Sequence, residues 1–176
     1  IHPYPSNTIN TLLFYLIIVA CKKEQPSEVS TQEVQKQTLE EEKTAILATI
    51  NSETVAAFSR DYDSLQNKWI HEPFVTKTYM QFPDSSITES LGWKEISGFV
   101  KEYFEAHPEP DPLPKPIEDI EVRVYGTGAW VTYEQVDSVR GLKRETRLME
   151  KVDGLWKIAG MHTTIYGKQA EHHSTE

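Results

Sequence analysis

The chain has few residues that could cross-link it or attract it to polyanions. Only one of its 176 residues is cysteine, so it cannot form an internal disulfide. Basic residues are also few, because 18 Lys and Arg stand against 27 Asp and Glu and leave a formal net charge of −9 at pH 7. General nucleic-acid binding and adhesion to anionic lipid headgroups both depend on clustered Lys and Arg. This charge balance argues against both.

The N-terminal apolar run is too short to cross a bilayer. It covers the nine residues from Leu12 to Ala20, whereas a membrane-spanning helix needs about 20. Nine is instead a typical length for the hydrophobic region of a secretory signal. Residues 1–11 contain no Lys or Arg, so we expect the basic start of this signal to lie upstream of Ile1.

The residues that follow this run predict a lipid anchor. Ile18-Val19-Ala20-Cys21 resembles the lipobox of bacterial lipoproteins, in which the signal is cut before the cysteine and the thiol is acylated. The resemblance implies lipidation at Cys21 and a place in the cell envelope, on the periplasmic or surface side of a membrane. The alternatives are a buried apolar strand and an apolar run that arose by chance. Residues 1–20 then form the signal segment, and residues 21–37 form a lipidated, polar and flexible tether.

The remaining residues predict one domain over 38–167, followed by a disordered tail over 168–176. Thr38 and Glu41 have the spacing of a helix capping box, and apolar residues then recur at helical spacing, which predicts a helix over 39–58. A short helix is expected over 59–68 and a third over 92–106, where Trp93 and Ile96 begin the apolar stripe.

Strand signals dominate the rest of the domain. The stretch after Pro73 is rich in β-branched and aromatic residues and predicts a first strand. Proline at every second position from 108 to 116 predicts an extended connector, or alternatively a proline-rich ligand for a partner. Period-two alternation after Ile120 predicts a four-stranded antiparallel meander. The expected class is α+β, with three helices packed on a curved antiparallel sheet.

This layout and several local motifs resemble the SnoaL-like, or nuclear transport factor 2-like, superfamily of cone-shaped domains. The motifs are Gly92-Trp93-Lys94-Glu95-Ile96, Gly128-Ala129-Trp130-Val131-Thr132-Tyr133 and the stretch from Glu145 through Asp153-Gly154-Leu155-Trp156 to His162. The last stretch is similar to the end of the association domain of calcium/calmodulin-dependent protein kinase II. The resemblance implies a conical pocket, in a superfamily of isomerases, cyclases, dehydratases, binding modules and oligomerisation hubs.

Two residues are candidates for polar chemistry in that pocket. By the resemblance, Arg147 matches an arginine that lines the pocket, where it could clamp a carboxylate; the alternative is a structural ion pair. Gln135 and Ser97 stand where the kinase domain has further arginines. Strand alternation from Trp156 and Ile158 places His162 in the cone, as a general acid or base or as a hydrogen-bonded core histidine.

Other candidates are apolar or aromatic. We expect them to line the pocket around a ligand, and each could equally be a core residue: Tyr133, Trp69, His71, Tyr79, Trp93 and Met149. No cofactor motif is present in the sequence. His172 and His173 are too isolated to predict a metal site.

Three functions remain open from the sequence, and whether the domain is an enzyme is among the open questions. The leading hypothesis is a lipoprotein that binds a small, partly apolar molecule, oriented by Arg147 and His162. The second is a SnoaL-like isomerase, cyclase or dehydratase that uses His162 as its acid or base. The third is a structural module that forms a homodimer through the outer sheet face, with Trp130 as an aromatic anchor.

Overall fold

The computed structural model describes residues 28–137 and 140–167, with side-chain surroundings from residue 38 onward except at residue 137. Cys21, the signal segment and the tail lie outside the described residues. Three helices and six strands lie within the described residues. They are α1 (Glu28–Phe58), α2 (Tyr62–Gln66), β1 (Thr76–Gln81), β2 (Ser86–Leu91), α3 (Gly92–Ala106), β3 (Glu121–Tyr125), β4 (Gly128–Asp137), β5 (Gly141–Val152) and β6 (Leu155–Gly167).

Helix α1 is longer than the sequence patterns predicted. It starts at Glu28, so Thr38 lies inside the helix and is not its N-cap. The reason is local propensity, because the 31 residues from Glu28 to Phe58 include no Gly or Pro and many Glu, Gln, Lys and Ala. Helical backbone thus extends over residues 28–37 of the predicted tether, whose flexibility stays a prediction.

The strands form one six-stranded sheet in the order β2-β1-β6-β5-β4-β3. The meander β3–β6 is antiparallel throughout, as predicted. The sheet as a whole is mixed, because β1 pairs in parallel with β6. Strand β2 was missed by the sequence analysis. It is an edge strand with five of its six residues exposed or half-buried, so it shows no apolar alternation.

Side chains on opposite faces of the sheet have different surroundings. The inner face carries the buried Val131, Met149 and Ile158, and the outer face carries the half-exposed Trp130 and Leu148. Apolar residues of α1 and α3, including Ile46, Ile50, Ile96 and Val100, belong to the same core cluster as the inner-face residues. The helices and the inner face thus share one core.

A bulge in β6 changes which residues face the core. Leu148 pairs with Gly160 and Met149 pairs with Ile158, which leaves Ala159 without a partner on β5. Before the bulge the buried residues are Trp156 and Ile158; after it they are Met161, Thr163 and Ile165. The extra residue therefore reverses the alternation of faces.

The proline-rich connector has neither helix nor strand over residues 107–120, as predicted. Side chains from α1 and from the turn that follows it hold the connector at both ends. The Asn51 amide exchanges two hydrogen bonds of 2.9 Å with the backbone of Ile117. Arg60 donates to the His107 carbonyl oxygen at 2.7 Å and to the Asp111 carboxylate at 2.7 Å. The connector therefore has a defined path despite lacking regular structure.

Two glycines in the α3 region provide a matched test of this backbone. Gly92 has φ 77°, and an added Cβ would lie 3.2 Å from the Pro73 carbonyl oxygen, whereas Gly98 has open space around it. We expect Gly92→Ala to lower the free energy of unfolding by about 1–2 kcal/mol or more. Gly98→Ala in the helix interior is expected to raise it by about 0.5–1 kcal/mol. Denaturant titration measures both, and changes of the same sign would contradict this account.

Candidate functional site

The inner face carries polar residues in register across three adjacent strands. Thr163 on β6 pairs with Glu145 on β5, which in turn pairs with Tyr133 on β4. One step along the strands, Met161 pairs with Arg147. All five side chains are buried. This arrangement places hydroxyl, carboxylate and guanidinium groups together within the apolar core.

Arg147 is the centre of this group. Its Nε and Nη2 both donate to Glu145 Oε2, at 3.0 and 2.7 Å, and Nη2 lies 3.5 Å from Glu53 Oε2 on α1. The Arg147 residue is only 2% exposed. The predicted alternative of an ion pair is therefore what the structure shows, and its main partner is Glu145.

The partner carboxylates are themselves bonded. Tyr133 donates to Glu145 Oε2 at 2.8 Å, and Lys143 donates to Glu145 Oε1 at 3.0 Å. Glu53 accepts from the Trp69 indole at 3.3 Å. Trp69 is positioned by backbone pairing of its neighbours, Lys68 and Ile70, with Ile158 of β6. We call Glu53, Tyr133, Glu145 and Arg147 the buried polar cluster.

The electrostatics of the cluster fix its protonation at neutral pH. Burial raises the pKa of Glu145, but the charges of Arg147 and Lys143 outweigh it and lower that pKa to about 2. Burial raises the pKa of the Tyr133 phenol far above its usual range. Burial also lowers the pKa of Arg147, but Tyr133, Glu145 and Glu53 more than offset this and raise it well above its usual value. Glu145 and Arg147 are therefore charged, and Tyr133 is neutral.

Two buried polar atoms have no hydrogen-bond partner within the described part of the chain. They are Arg147 Nη1 and Thr163 Oγ1. Buried polar atoms are almost always bonded, because an unpaired one costs about 1–3 kcal/mol. Thr163 pairs with Glu145, two residues from Arg147 on β5, so the two atoms belong to the same part of the inner face.

Two concavities of the described surface lie elsewhere. One, of about 480 Å³, is on the β3–β4 ribbon and is lined by residues that include Arg123, Tyr125 and Trp130. Another, of about 460 Å³, is beside the segment from Trp69 to Phe74. Neither concavity is lined by a residue of the buried polar cluster. A ligand could therefore reach the cluster only if side chains moved.

Relatives agree with this architecture. A family model described as a SnoaL-like domain matches residues 46–166, more than two thirds of the chain. The chain belongs to the SnoaL-like family. No curated protein matches it.

Solved structures agree on the fold of the SnoaL-like domain. A cystatin-like fold protein of Burkholderia xenovorans LB400 is 17% identical with a TM-score of 0.53, over 69% of this chain and 89% of that chain. An NTF-2-like protein of unknown function from Silicibacter pomeroyi DSS-3 is 15% identical with a TM-score of 0.52, over 72% of this chain and 98% of that chain. At these identities the similarity shows the fold alone.

The predicted site residues of the SnoaL-like domain fall into three groups. Tyr133 and Arg147 belong to the buried polar cluster, Trp69 bonds to it, and the buried Met149 lies beside Arg147 along β5. Gln135 is half-buried and donates to the Lys115 carbonyl oxygen at 3.3 Å. The remaining residues make no hydrogen bond to the cluster within the described part of the chain. The ring of Tyr79 lies beside Lys77, Ser97 bonds to Tyr62, and His71 stacks on Trp93 with ring centroids 4.2 Å apart.

The predicted position of His162 is wrong. The bulge at Ala159 reverses the faces of β6, so His162 is exposed on the outer face, where its Nε2 lies 3.2 Å from Thr76 Oγ1. His162 therefore does not share a face with Trp156 and Ile158. Trp130 is 51% exposed on the same outer face, and pairing of two copies through it stays a prediction.

The sequence analysis missed four buried polar residues: Glu53 on α1, and Lys77, Glu145 and Thr163 on the inner face of the sheet. Glu53 follows Ile46 and Ile50 at helical spacing, and Glu145 alternates with Arg147 and Met149, so both carried a burial signal in the sequence. Thr163 was hidden by the bulge. Within residues 38–137 and 140–167, no three His, Asp or Glu side chains form a metal-binding group, and none of the described helices could span a membrane.

The ion pair predicts how stability depends on pH. Glu145 has a folded-state pKa of about 2 against an ordinary 4.5, so its stabilisation is present above about pH 4.5 and lost as pH falls towards 2. The loss is on the order of 3 kcal/mol. In Glu145→Gln we expect this acid-dependent loss of unfolding free energy to be absent. At pH 7 the free energy of unfolding of the variant should be lower by about 3–5 kcal/mol, because Arg147 loses its main partner.

Urea titrations from pH 7 to pH 2 measure this dependence. Glu134→Gln provides the matched control, because Glu134 forms an exposed ion pair with Arg144 on the outer face. That variant should keep the acid dependence of the original protein. An unchanged acid dependence in Glu145→Gln would contradict the assignment.

Proposed function

We propose that the domain binds a small, partly apolar molecule on the inner face of its sheet. The observation that carries the proposal is the pair of buried atoms without partners, Arg147 Nη1 and Thr163 Oγ1. A ligand oxygen within reach of both would accept from the guanidinium and bond to the hydroxyl. The buried Val131, Met149 and Met161 would surround the apolar part of such a molecule.

The charges of the cluster favour a neutral ligand group at this position. Arg147 and Lys143 provide two positive charges, and Glu53 and Glu145 provide two negative charges, so the four sum to zero. An anionic group beside Arg147 would repel the two carboxylates. A carbonyl or hydroxyl oxygen would satisfy Nη1 without disturbing this balance.

Protonation favours binding over acid–base catalysis by the cluster. At neutral pH Glu145 stays ionised, Arg147 stays charged and Tyr133 stays protonated, so none of the three exchanges protons readily there. The alternative of an isomerase, cyclase or dehydratase that uses His162 requires a ligand on the outer face.

We also propose that the protein is a lipoprotein of the bacterial cell envelope, acylated at Cys21. The support is the sequence Leu12 to Cys21, where a nine-residue apolar run ends in an aliphatic, a tolerant and a small residue before the cysteine. A protein of net charge −9 is poorly suited to electrostatic adhesion, and acyl chains provide an attachment that does not depend on charge.

Thr163→Val tests the inner-face site without breaking the ion pair. Valine has the shape of threonine and removes a hydroxyl that has no partner, so stability should be unchanged or slightly raised. Ligands carrying a carbonyl or hydroxyl, found by thermal shift with the original protein, should lose about 1 kcal/mol or more of binding free energy in the variant.

The neighbouring Thr164→Val is the matched control. Thr164 is half-buried and alternates with Thr163, so it belongs to the outer face. Binding should be unaffected in this variant. Equal loss of binding in both variants, or no ligand among carbonyl and hydroxyl compounds, would contradict the proposed site.

Cys21→Ser tests the anchor. When the full precursor is expressed in a bacterium, the original protein should enter the detergent phase and its mass should include acyl chains. Cys21→Ser should be found in the aqueous phase without added mass. Ser27→Ala serves as the control and should behave as the original. Detergent partition of Cys21→Ser equal to that of the original would rule out lipidation at this residue.

A further inference from the structure

Lys77 on β1 is a largely buried residue whose ammonium group has no counter-ion among the described residues. The residue is 8% exposed, and no carboxylate of the described residues lies within ion-pair distance of its ammonium group. Burying a lone charge costs free energy unless it is paired. Lys77 thus places an unpaired positive charge at the edge of the core, where a counter-ion would stabilise it.

Aromatic rings surround this ammonium group. Its Nζ lies 5.9 Å from the ring centroid of Trp69 and 5.7 Å from those of Tyr79 and Phe99. Such contacts stabilise a cation, yet they leave its net charge uncompensated. The rings also provide flat apolar walls. Phe99 is 38% exposed and Tyr79 is half-buried, so these walls reach solvent.

Strand register connects Lys77 with the buried polar cluster. Met161 on β6 pairs with Lys77 on one side and with Arg147 on the other. Thr163 is likewise flanked by Tyr79 and Glu145. Lys77 and Arg147 are thus two strands apart on one face, a separation of about 9.5 Å between their strands. A single small molecule lying over Met161 could contact both residues.

We propose that Lys77 binds the carboxylate of a small aromatic acid whose second, neutral oxygen meets Arg147 and Thr163. This rests on the proposed function of the inner face. Because the cluster with Lys143 is neutral, Lys77 gives the inner face one uncompensated positive charge, which matches a monoanion. The aromatic rings would pack against the body of the acid, and entry would take place past Tyr79 and Phe99.

Three probes test separately the contact of the carboxylate with Lys77 and the contact of the second oxygen with Arg147 and Thr163. They are 4-hydroxyphenylacetate, its uncharged amide 4-hydroxyphenylacetamide, and phenylacetate, which lacks the second oxygen. Dissociation constants for the whole chain are measured by calorimetry or ligand-observed NMR. The acid should bind at least about tenfold more tightly than the amide, the factor given by 1.4 kcal/mol. Phenylacetate should bind more weakly than 4-hydroxyphenylacetate.

Lys77→Met is the decisive variant. Methionine fills similar apolar space without the charge, so the variant should be at least as stable to heat as the original. Its affinity for the acid should fall about tenfold, whereas its affinity for the amide should not change. Lys101→Met is the matched control, because Lys101 also lies over an aromatic ring, Tyr62 at 4.6 Å, but is exposed. It should bind as the original.

The outcomes distinguish this inference from the proposed function. Equal affinity of the original protein for acid and amide, or unchanged acid binding in Lys77→Met, overturns the role of Lys77 and leaves the Arg147–Thr163 site intact. Acid binding that Thr163→Val does not weaken contradicts that site and leaves Lys77 intact. Binding of none of the three probes overturns the aromatic-acid inference; neutral carbonyl and hydroxyl compounds then decide the proposed function separately.

Discussion

The ion pair between Arg147 and Glu145 is the constraint around which the interior is arranged. Two charges inside a small core are tolerated only if each is bonded on several sides. Tyr133, Lys143 and Glu53 supply those bonds, and Glu53 in turn orders the indole of Trp69. Strands β4 and β5, helix α1 and the segment before β1 therefore meet at one electrostatic centre.

In the proposed function, this centre separates stability from recognition. Four charged groups neutralise one another, and within the described residues Arg147 Nη1 and Thr163 Oγ1 are the buried side-chain atoms left without a partner. Lys77 stands outside that balance. A core built only for stability would not need the last three groups, because apolar side chains of similar volume pack at least as well. In this proposal the bonded charges stabilise the fold, and Arg147 Nη1, Thr163 Oγ1 and Lys77 are the groups that a ligand would contact.

Much of the fold could be predicted from the sequence, because long periodic segments carry strong signals. The third helix, the connector and the four-stranded meander follow directly from apolar spacing, proline spacing and turn residues. The start of α1 could not be placed, since a polar stretch of good helix formers resembles a tether in composition. Strand β2 shows no alternation of apolar and polar residues, because it lies at the edge of the sheet and most of its residues are exposed or half-buried.

The site was less predictable for a specific physical reason. Arg147 and Tyr133 were identified, but one unpaired residue, Ala159, exchanges the faces of the last strand. Alternation counted from Trp156 predicts that His162 faces the core. In the structure His162 is exposed, and its neighbour Thr163 is the buried residue. The carboxylates of Glu53 and Glu145 lie on stripes that periodicity marks as buried, yet only tertiary contact shows that they meet the same guanidinium.

Helix α1 has a mechanical consequence for the position of the domain. Glu42 contacts β6 through the Trp156 indole, and the helix continues for 14 residues before it, back to Glu28. At 1.5 Å per residue this is a length of about 21 Å. A helix acts as a rod with a set length and direction, whereas a coil of the same residues would fluctuate in both. The start of α1 at Glu28 is thus held about 21 Å from the contact between Glu42 and Trp156. Removing seven of the intervening residues would shorten that distance by about 10 Å while nearly preserving the direction in which the helix start points.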